Sequence, residues 1–191
     1  MRVPAMKKIN VALIGCKFMG KAHTNAWKNV GHFFDLNVQP VLKVACDANQ
    51  EVVHEFAERW GWEETETDWR KIMDRDDIHV VDIATPPNVH RDIAVAAAES
   101  GKHIFCEKPI ALCASEAKEM YDAAEKNQVV HYLNHEYRRC PAIALAKQLI
   151  DEGKIGKIFH WRGAYLQSWL ADPNFPLTWH LQKEKAGSGA Q

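Results

Sequence analysis

The chain has no CxxC pair, no apolar run long enough to cross a bilayer and no block of like charge, and each absence removes a class of protein. Its five cysteines, Cys16, Cys46, Cys106, Cys113 and Cys140, are an odd number spread through apolar or strand-end contexts. That distribution fits free thiols in a reducing compartment better than a disulfide scaffold or a zinc site. Basic and acidic residues nearly cancel, 24 against 25, and the lysines and arginines are dispersed, so neither a nucleic-acid footprint nor an anionic membrane surface is indicated. The start, Met1 to Lys8, shows no signal-peptide pattern and leads directly into an apolar stretch. A soluble, cytoplasmic protein without a metal site is expected. Internal repeats and low-complexity tracts are lacking too. At 191 residues the chain is longer than most single domains and short of two, which suggests one domain and part of another.

What is present is an alternation of short apolar runs with helix-period segments, the pattern of βαβ units on a parallel sheet. Lys8 to Ile14 reads as a first buried strand that stops at Gly15. The turn Gly15-Cys16-Lys17-Phe18-Met19-Gly20 leads into a helix through Ala22, Ala26 and Trp27 to about Val30. This is a dinucleotide loop, GxGxxG, with its second glycine replaced by Lys17. That lysine must either swing away from the cofactor's phosphates or lie along them. Gly31 to Pro40 looks like an insertion, and Gln39 to Cys46 like a second strand ending in Asp47. An acid at that tip suits the adenine ribose and repels a 2′-phosphate, so NAD is favoured over NADP. Asp47 also has an ordinary reading, as cap of the helix Gln50 to Trp60.

Trp62 to Thr67 should hold a short third strand, with Asp68 capping a small helix, Trp69 to Asp74. The fourth strand, Ile78 to Ala84, runs into Thr85-Pro86-Pro87-Asn88-Val89-His90. Two prolines stiffen this strand tip, which suits a wall against the nicotinamide, and Asn88 can cap the helix running to Ser100. His90 reads equally as a surface residue or a ligand contact. A fifth strand, His103 to Cys106, delivers Glu107-Lys108-Pro109 to the carboxyl edge of the sheet, where ligands of open parallel sheets bind. After a helix from Ala114 to Lys126, a sixth strand, Gln128 to Leu133, leads to Tyr137-Arg138-Arg139. A helix opened by Pro141 follows, and Lys157 to Tyr165 reads as a strand of something new.

Taken in order, the Gly15 to Gly20 loop with Lys21-Ala22-His23, the Ala84-Thr85-Pro86-Pro87 turn, Glu107-Lys108-Pro109 and Tyr137-Arg138-Arg139 resemble the glucose-fructose oxidoreductase, inositol dehydrogenase and MocA family. The likeness covers nearly the whole chain and is strongest to the family's sugar and inositol dehydrogenases. It implies an α/β fold, with a Rossmann-type parallel sheet over residues 1–133. Residues 134–191 would begin a second, α+β domain with a mostly antiparallel sheet, incomplete here. It also implies hydride transfer between NAD and a secondary alcohol of a sugar or polyol. Lys108 would then lie beside the nicotinamide and the reacting carbinol. Gly15, Lys17, Phe18, Met19, Gly20, Asp47, Thr85, Pro86, Pro87, His90, Glu107 and Lys108 would meet the cofactor, and Tyr165 and Gln167 the substrate. An ordinary lysine, titrating near ~10.4, is too basic to accept a proton well at neutral pH. Partial burial and the positive nicotinamide are therefore expected to favour its neutral form.

The resemblance further implies that the family's catalytic acid and histidine follow a Gly-rich turn equivalent to Gly187 to Ala190. The chain is therefore expected to be a portion of a longer, homo-oligomeric enzyme and inactive alone. His180, the only nearby histidine, does not match the family's position. Two other readings remain open at this point: an NAD-dependent glycosidase on the same fold, and a non-catalytic NAD-binding module.

Overall fold

Residues 6–168 and 171–187 are described by the structure, a computed structural model. The elements follow as β1 (Lys7–Ile14), α1 (Phe18–Phe33), β2 (Val38–Cys46), α2 (Gln50–Trp60), β3 (Glu64–Glu66), α3 (Arg70–Met73), β4 (Val80–Ile83), α4 (His90–Glu99), β5 (His103–Glu107), α5 (Ala114–Lys126) and β6 (His131–Asn134). Beyond the sheet come α6 (Pro141–Asp151) and α7 (Lys183–Ala186). All six strands pair in parallel in the order β3-β2-β1-β4-β5-β6. Successive side chains alternate between faces. Ala12 and Ile14 therefore join Val81, Ile83, Ile93 and Ala97 in one core, while Val11 and Leu13 join Ala45, Val53 and Phe56 in the other. Burial on both faces explains why these strands read as unbroken apolar runs.

The chain order reverses direction about β1, with β2 on one side and β4 on the other, so the tips of β1 and β4 flank a topological switch point. Several local expectations are corrected. Helix α1 continues through Gly31 to Phe33, so the insertion shrinks to the link before Val38. Asn88 caps nothing: Pro87–Val89 forms a 3-10 turn, and α4 starts at His90 without a side-chain cap. Asp68 does accept the Arg70 amide at 3.0 Å, as a cap for the short α3 would. Residues 157–165 form no strand and are exposed, which corrects the strand expected there. The last described stretch returns to the sheet. Helix α7 lies against the Pro87–Val89 turn, and Gly187 sits beside Leu112. Of the expected Gly-rich turn, Ser188, Gly189 and Ala190 lie outside the described residues. Among the described residues no helix is long and apolar enough to cross a membrane, and no metal-ligand cluster forms.

Candidate active site

Gly15 leaves β1 at φ +106, a conformation that L side chains rarely adopt. A Cβ here would stand 2.6 Å from the Ala84 carbonyl oxygen, so the turn presses directly on the tip of β4. Gly20, near the start of α1, is as constrained: a Cβ would collide with the carbonyl oxygen of Gly15. Lys17 takes the position of the second glycine with φ −86 and an exposed side chain. The backbone there makes no demand for glycine, which is why a lysine is accommodated. Helix α1 has no capping side chain and no acid in its first turn. Its leading amides and the positive end of its dipole are thus free for an anion such as a pyrophosphate. Phe18 is exposed and Met19 half-buried at the same end.

Asp47 ties the turn to β2. Its Oδ2 accepts the Cys16 amide at 3.1 Å and its Oδ1 the Asn49 amide at 3.1 Å. The cap of α2 is Asn49, whose side chain accepts from Glu51 and Val52, so the cap reading of Asp47 is corrected. Cap side chains reach the amides two and three residues ahead, and Asn49 stands at that distance.

At the tip of β4, Thr85 and Pro86 are half-buried and Pro87 is buried. The Thr85 Oγ1 is itself buried with no hydrogen-bond partner, a polar atom suited to a ligand beside the glycine turn. His90 is buried in the protein interior. Its Nε2 lies 2.8 Å from the Thr85 carbonyl oxygen and its Nδ1 3.0 Å from that of Pro109. It staples the two turns together and has no free ring nitrogen for the cofactor, which corrects its expected role. Pro87, also buried, can shape the wall but offers little surface.

Lys108 is exposed at the tip of β5, before a cis peptide to Pro109. The partial burial expected for it is not supplied by the described residues. Glu107, by contrast, is buried, and both its oxygens are engaged. Oε1 accepts from Asn134 Nδ2 at 2.5 Å and lies 3.0 Å from His23 Nε2, while Oε2 accepts the Lys108 amide at 3.1 Å. Its expected contact with the cofactor is therefore replaced by a supporting role. His23 Nδ1 in turn lies 2.7 Å from Asp82 Oδ1, and Asp82 Oδ2 accepts from Trp27 Nε1 at 2.7 Å.

Burial opposes charge on His23, but hydrogen bonds to Asp82 and Glu107 and the charges of both outweigh it and raise its pKa to about 9. Burial likewise opposes ionisation of Glu107, yet its bonds to His23 and Asn134 and the His23 charge hold its carboxyl below the usual range. A histidine whose pKa is raised by folding stabilises fully below its unfolded value of 6.5 and loses that contribution as pH rises through about 9. Glu107 works in the opposite direction, its contribution vanishing only as pH falls through its lowered value. Urea unfolding should therefore show wild type losing on the order of 3 kcal/mol relative to His23→Gln between neutral pH and pH above ~9. An unchanged gap between the two proteins over that range would contradict the charged bridge.

Sequence reasoning did not place His23, Asp82 or Asn134 in the site. The signal was an acid, Asp82, inside the apolar run Val80-Val81-Asp82-Ile83, because a buried carboxylate demands a partner. Tyr165 is exposed, with its hydroxyl 2.6 Å from that of Tyr137 and accepting from Gln167 Nε2 at 2.8 Å. The two expected substrate residues are thus joined to the Tyr137-Arg138-Arg139 segment. His180 comes near Lys108; burial and then that lysine's charge hold its imidazole below the ordinary range.

A parallel sheet with a glycine cradle and an anion-receptive helix at its switch point, an acid at the tip of β2 and a lysine at the tip of β5 form a Rossmann-type domain suited to a dinucleotide. The comparisons with known proteins agree. The model of the oxidoreductase family with NAD-binding Rossmann fold matches residues 9–135, and that of the GFO/IDH/MocA C-terminal domain matches 143–191. The chain belongs to the Gfo/Idh/MocA oxidoreductase family.

It is 54% identical to levoglucosan dehydrogenase of Pseudarthrobacter phenanthrenivorans over 186 residues, which are 97% of this chain and 48% of that protein. The solved structure of levoglucosan dehydrogenase in complex with NADH and levoglucosan superposes with a TM-score of 0.93 at 54% identity, covering 96% of this chain and 50% of that one. An oxidoreductase domain protein from Kribbella flavida gives a TM-score of 0.92 at 48% identity, with 97% and 50% covered. The chain spans about half the length of the curated relatives it matches.

Proposed function

We propose that the protein carrying this chain oxidises a secondary alcohol of a sugar or cyclitol, with levoglucosan-like anhydrosugars the first class to test, and reduces NAD. The observation that carries the reading is the exposed Lys108 at the tip of β5, beside the Thr85–Pro86 turn and on the same sheet edge as the glycine cradle. NAD, when bound, supplies the hydride acceptor. Gly15, Lys17, Phe18, Met19 and Gly20 would hold its pyrophosphate and Asp47 its adenine ribose. Thr85 and Pro86 would face the nicotinamide end.

Lys108 then orients the alcohol and takes its proton as the hydride leaves, since a base must lie within hydrogen-bond reach of that hydroxyl. Tyr165 and Gln167 are the substrate contacts in this reading. The 54% identity to levoglucosan dehydrogenase supports the substrate class. The same reading divides the chain into a cofactor domain to residue 133 and a substrate and association domain from 134. It also places the protein in the cytoplasm as a homo-oligomer. The test is NADH formation when NAD is supplied with levoglucosan, other sugars or inositols. Release of free sugar from a glycoside without net NADH would instead support the glycosidase reading.

A further inference from the structure

Beneath the strand tip that carries Lys108, one buried imidazole is gripped by two buried carboxylates. Asp82 on β4 and Glu107 on β5 both point to the face covered by α1, because each alternates with residues of the opposite core. His23 reaches between them from α1, with Nδ1 2.7 Å from Asp82 and Nε2 3.0 Å from Glu107. A ring with a carboxylate oxygen at each nitrogen satisfies both only by donating twice, as an imidazolium. Trp27 from the same helix donates to Asp82, Asn134 on β6 donates to Glu107, and the Phe105 ring lies edge-on to the imidazole at 5.3 Å. The remaining oxygen of Glu107 receives the Lys108 amide. The helix that begins at the glycine turn is in this way locked to the strand that ends in Lys108.

We propose that His23 is a positioning residue for the nicotinamide half of the site: by bridging Asp82 and Glu107 it holds the Glu107–Lys108 tip in register with the glycine turn. The inference rests on the nicotinamide-cofactor reading above. It differs from a merely structural role in what it perturbs. The adenine half of the cofactor would rest on Asp47 and the β1 turn, on the other side of β1 from this cluster. Loss of His23 should therefore be felt by the redox ring and not by the adenosine.

The test compares NADH with ADP-ribose, which lacks the nicotinamide, by calorimetric titration of this chain. His23→Gln, neutral at every pH, should weaken NADH about tenfold and change ADP-ribose by less than about twofold, the scale of one charged hydrogen bond. In wild type the preference for NADH over ADP-ribose should fall as pH rises through about 9. The titratable groups that face the ring are Asp82 from β4 and Glu107 from β5, while α1 and β6 contribute only Trp27 and the Asn134 amide. The pH step should persist in Lys108→Met, which excludes the lysine as its source, and vanish in His23→Gln. Equal weakening of both nucleotides, or no change in either, overturns the proposal. If His23→Gln does not fold, the wild-type and Lys108→Met profiles decide, and absence of the step overturns it. Wild type that binds neither nucleotide overturns the cofactor reading and this inference together, whereas wild type that binds both with no pH step overturns this inference alone.

Discussion

Gly20→Ala should cost roughly 3 kcal/mol or more of stability, a fall in melting temperature of about 10 °C for a chain of this size, and should abolish nucleotide binding. The reason is local and steric. The added Cβ would collide with the Gly15 carbonyl oxygen and come within 3.2 Å of its carbon and 3.4 Å of a Leu13 methyl group. None of these can yield cheaply, since Gly15 is itself pinned against Ala84 and its amide donates to the Cys46 carbonyl at 2.8 Å. Helix α1 would have to lift from β1, carrying away the amides proposed to receive the pyrophosphate. Gly31 in the same helix is the control. A Cβ there meets nothing within 4 Å, so Gly31→Ala should raise stability by about 0.5–1 kcal/mol. Thermal melts of the two variants check both statements, and equal effects would show that the close approach at Gly20 is not what holds the turn.

Lys108→Ala, made in the complete enzyme, should abolish hydride transfer, by about 1,000-fold or more, while leaving NAD affinity nearly intact. The side chain is exposed and its backbone amide, not its amine, is what joins the buried cluster, so its removal leaves the cradle and Glu107 in place. Single-turnover NADH formation alongside calorimetric NAD titration separates the two quantities. A parallel loss of both would reject the role of proton acceptor and make Lys108 a cofactor ligand.

The middle of the sheet was legible in the sequence because its central strands are buried on both faces and run into turns marked by glycine, proline or acid. Ile14-Gly15 and Cys46-Asp47 carry both signals at once. The glycine turn was legible for the same reason that Gly20 is irreplaceable: spacing alone implies the close approach. What escaped were features that depend on partners distant in sequence. His23 lies 59 residues from Asp82 and 84 from Glu107, so no local pattern joins them. His90 looked like a residue of a helix's first turn, and only the packing of β5's exit over that of β4 shows its ring tied to two carbonyls. Residues 157–165 have the composition of a strand, but strand formation needs a neighbouring edge, which local sequence cannot supply.

The central claim, that this chain builds an NAD site at the switch point of its sheet, is tested most directly by calorimetric titration of the chain with NAD and, separately, NADP. The account predicts saturable NAD binding at least about tenfold tighter than NADP, because the Asp47 carboxylate would accept from ribose hydroxyls and repel a 2′-phosphate. The preference should disappear in Asp47→Ser. NADP bound as tightly as NAD would contradict the role of Asp47, and binding of neither would contradict the site itself.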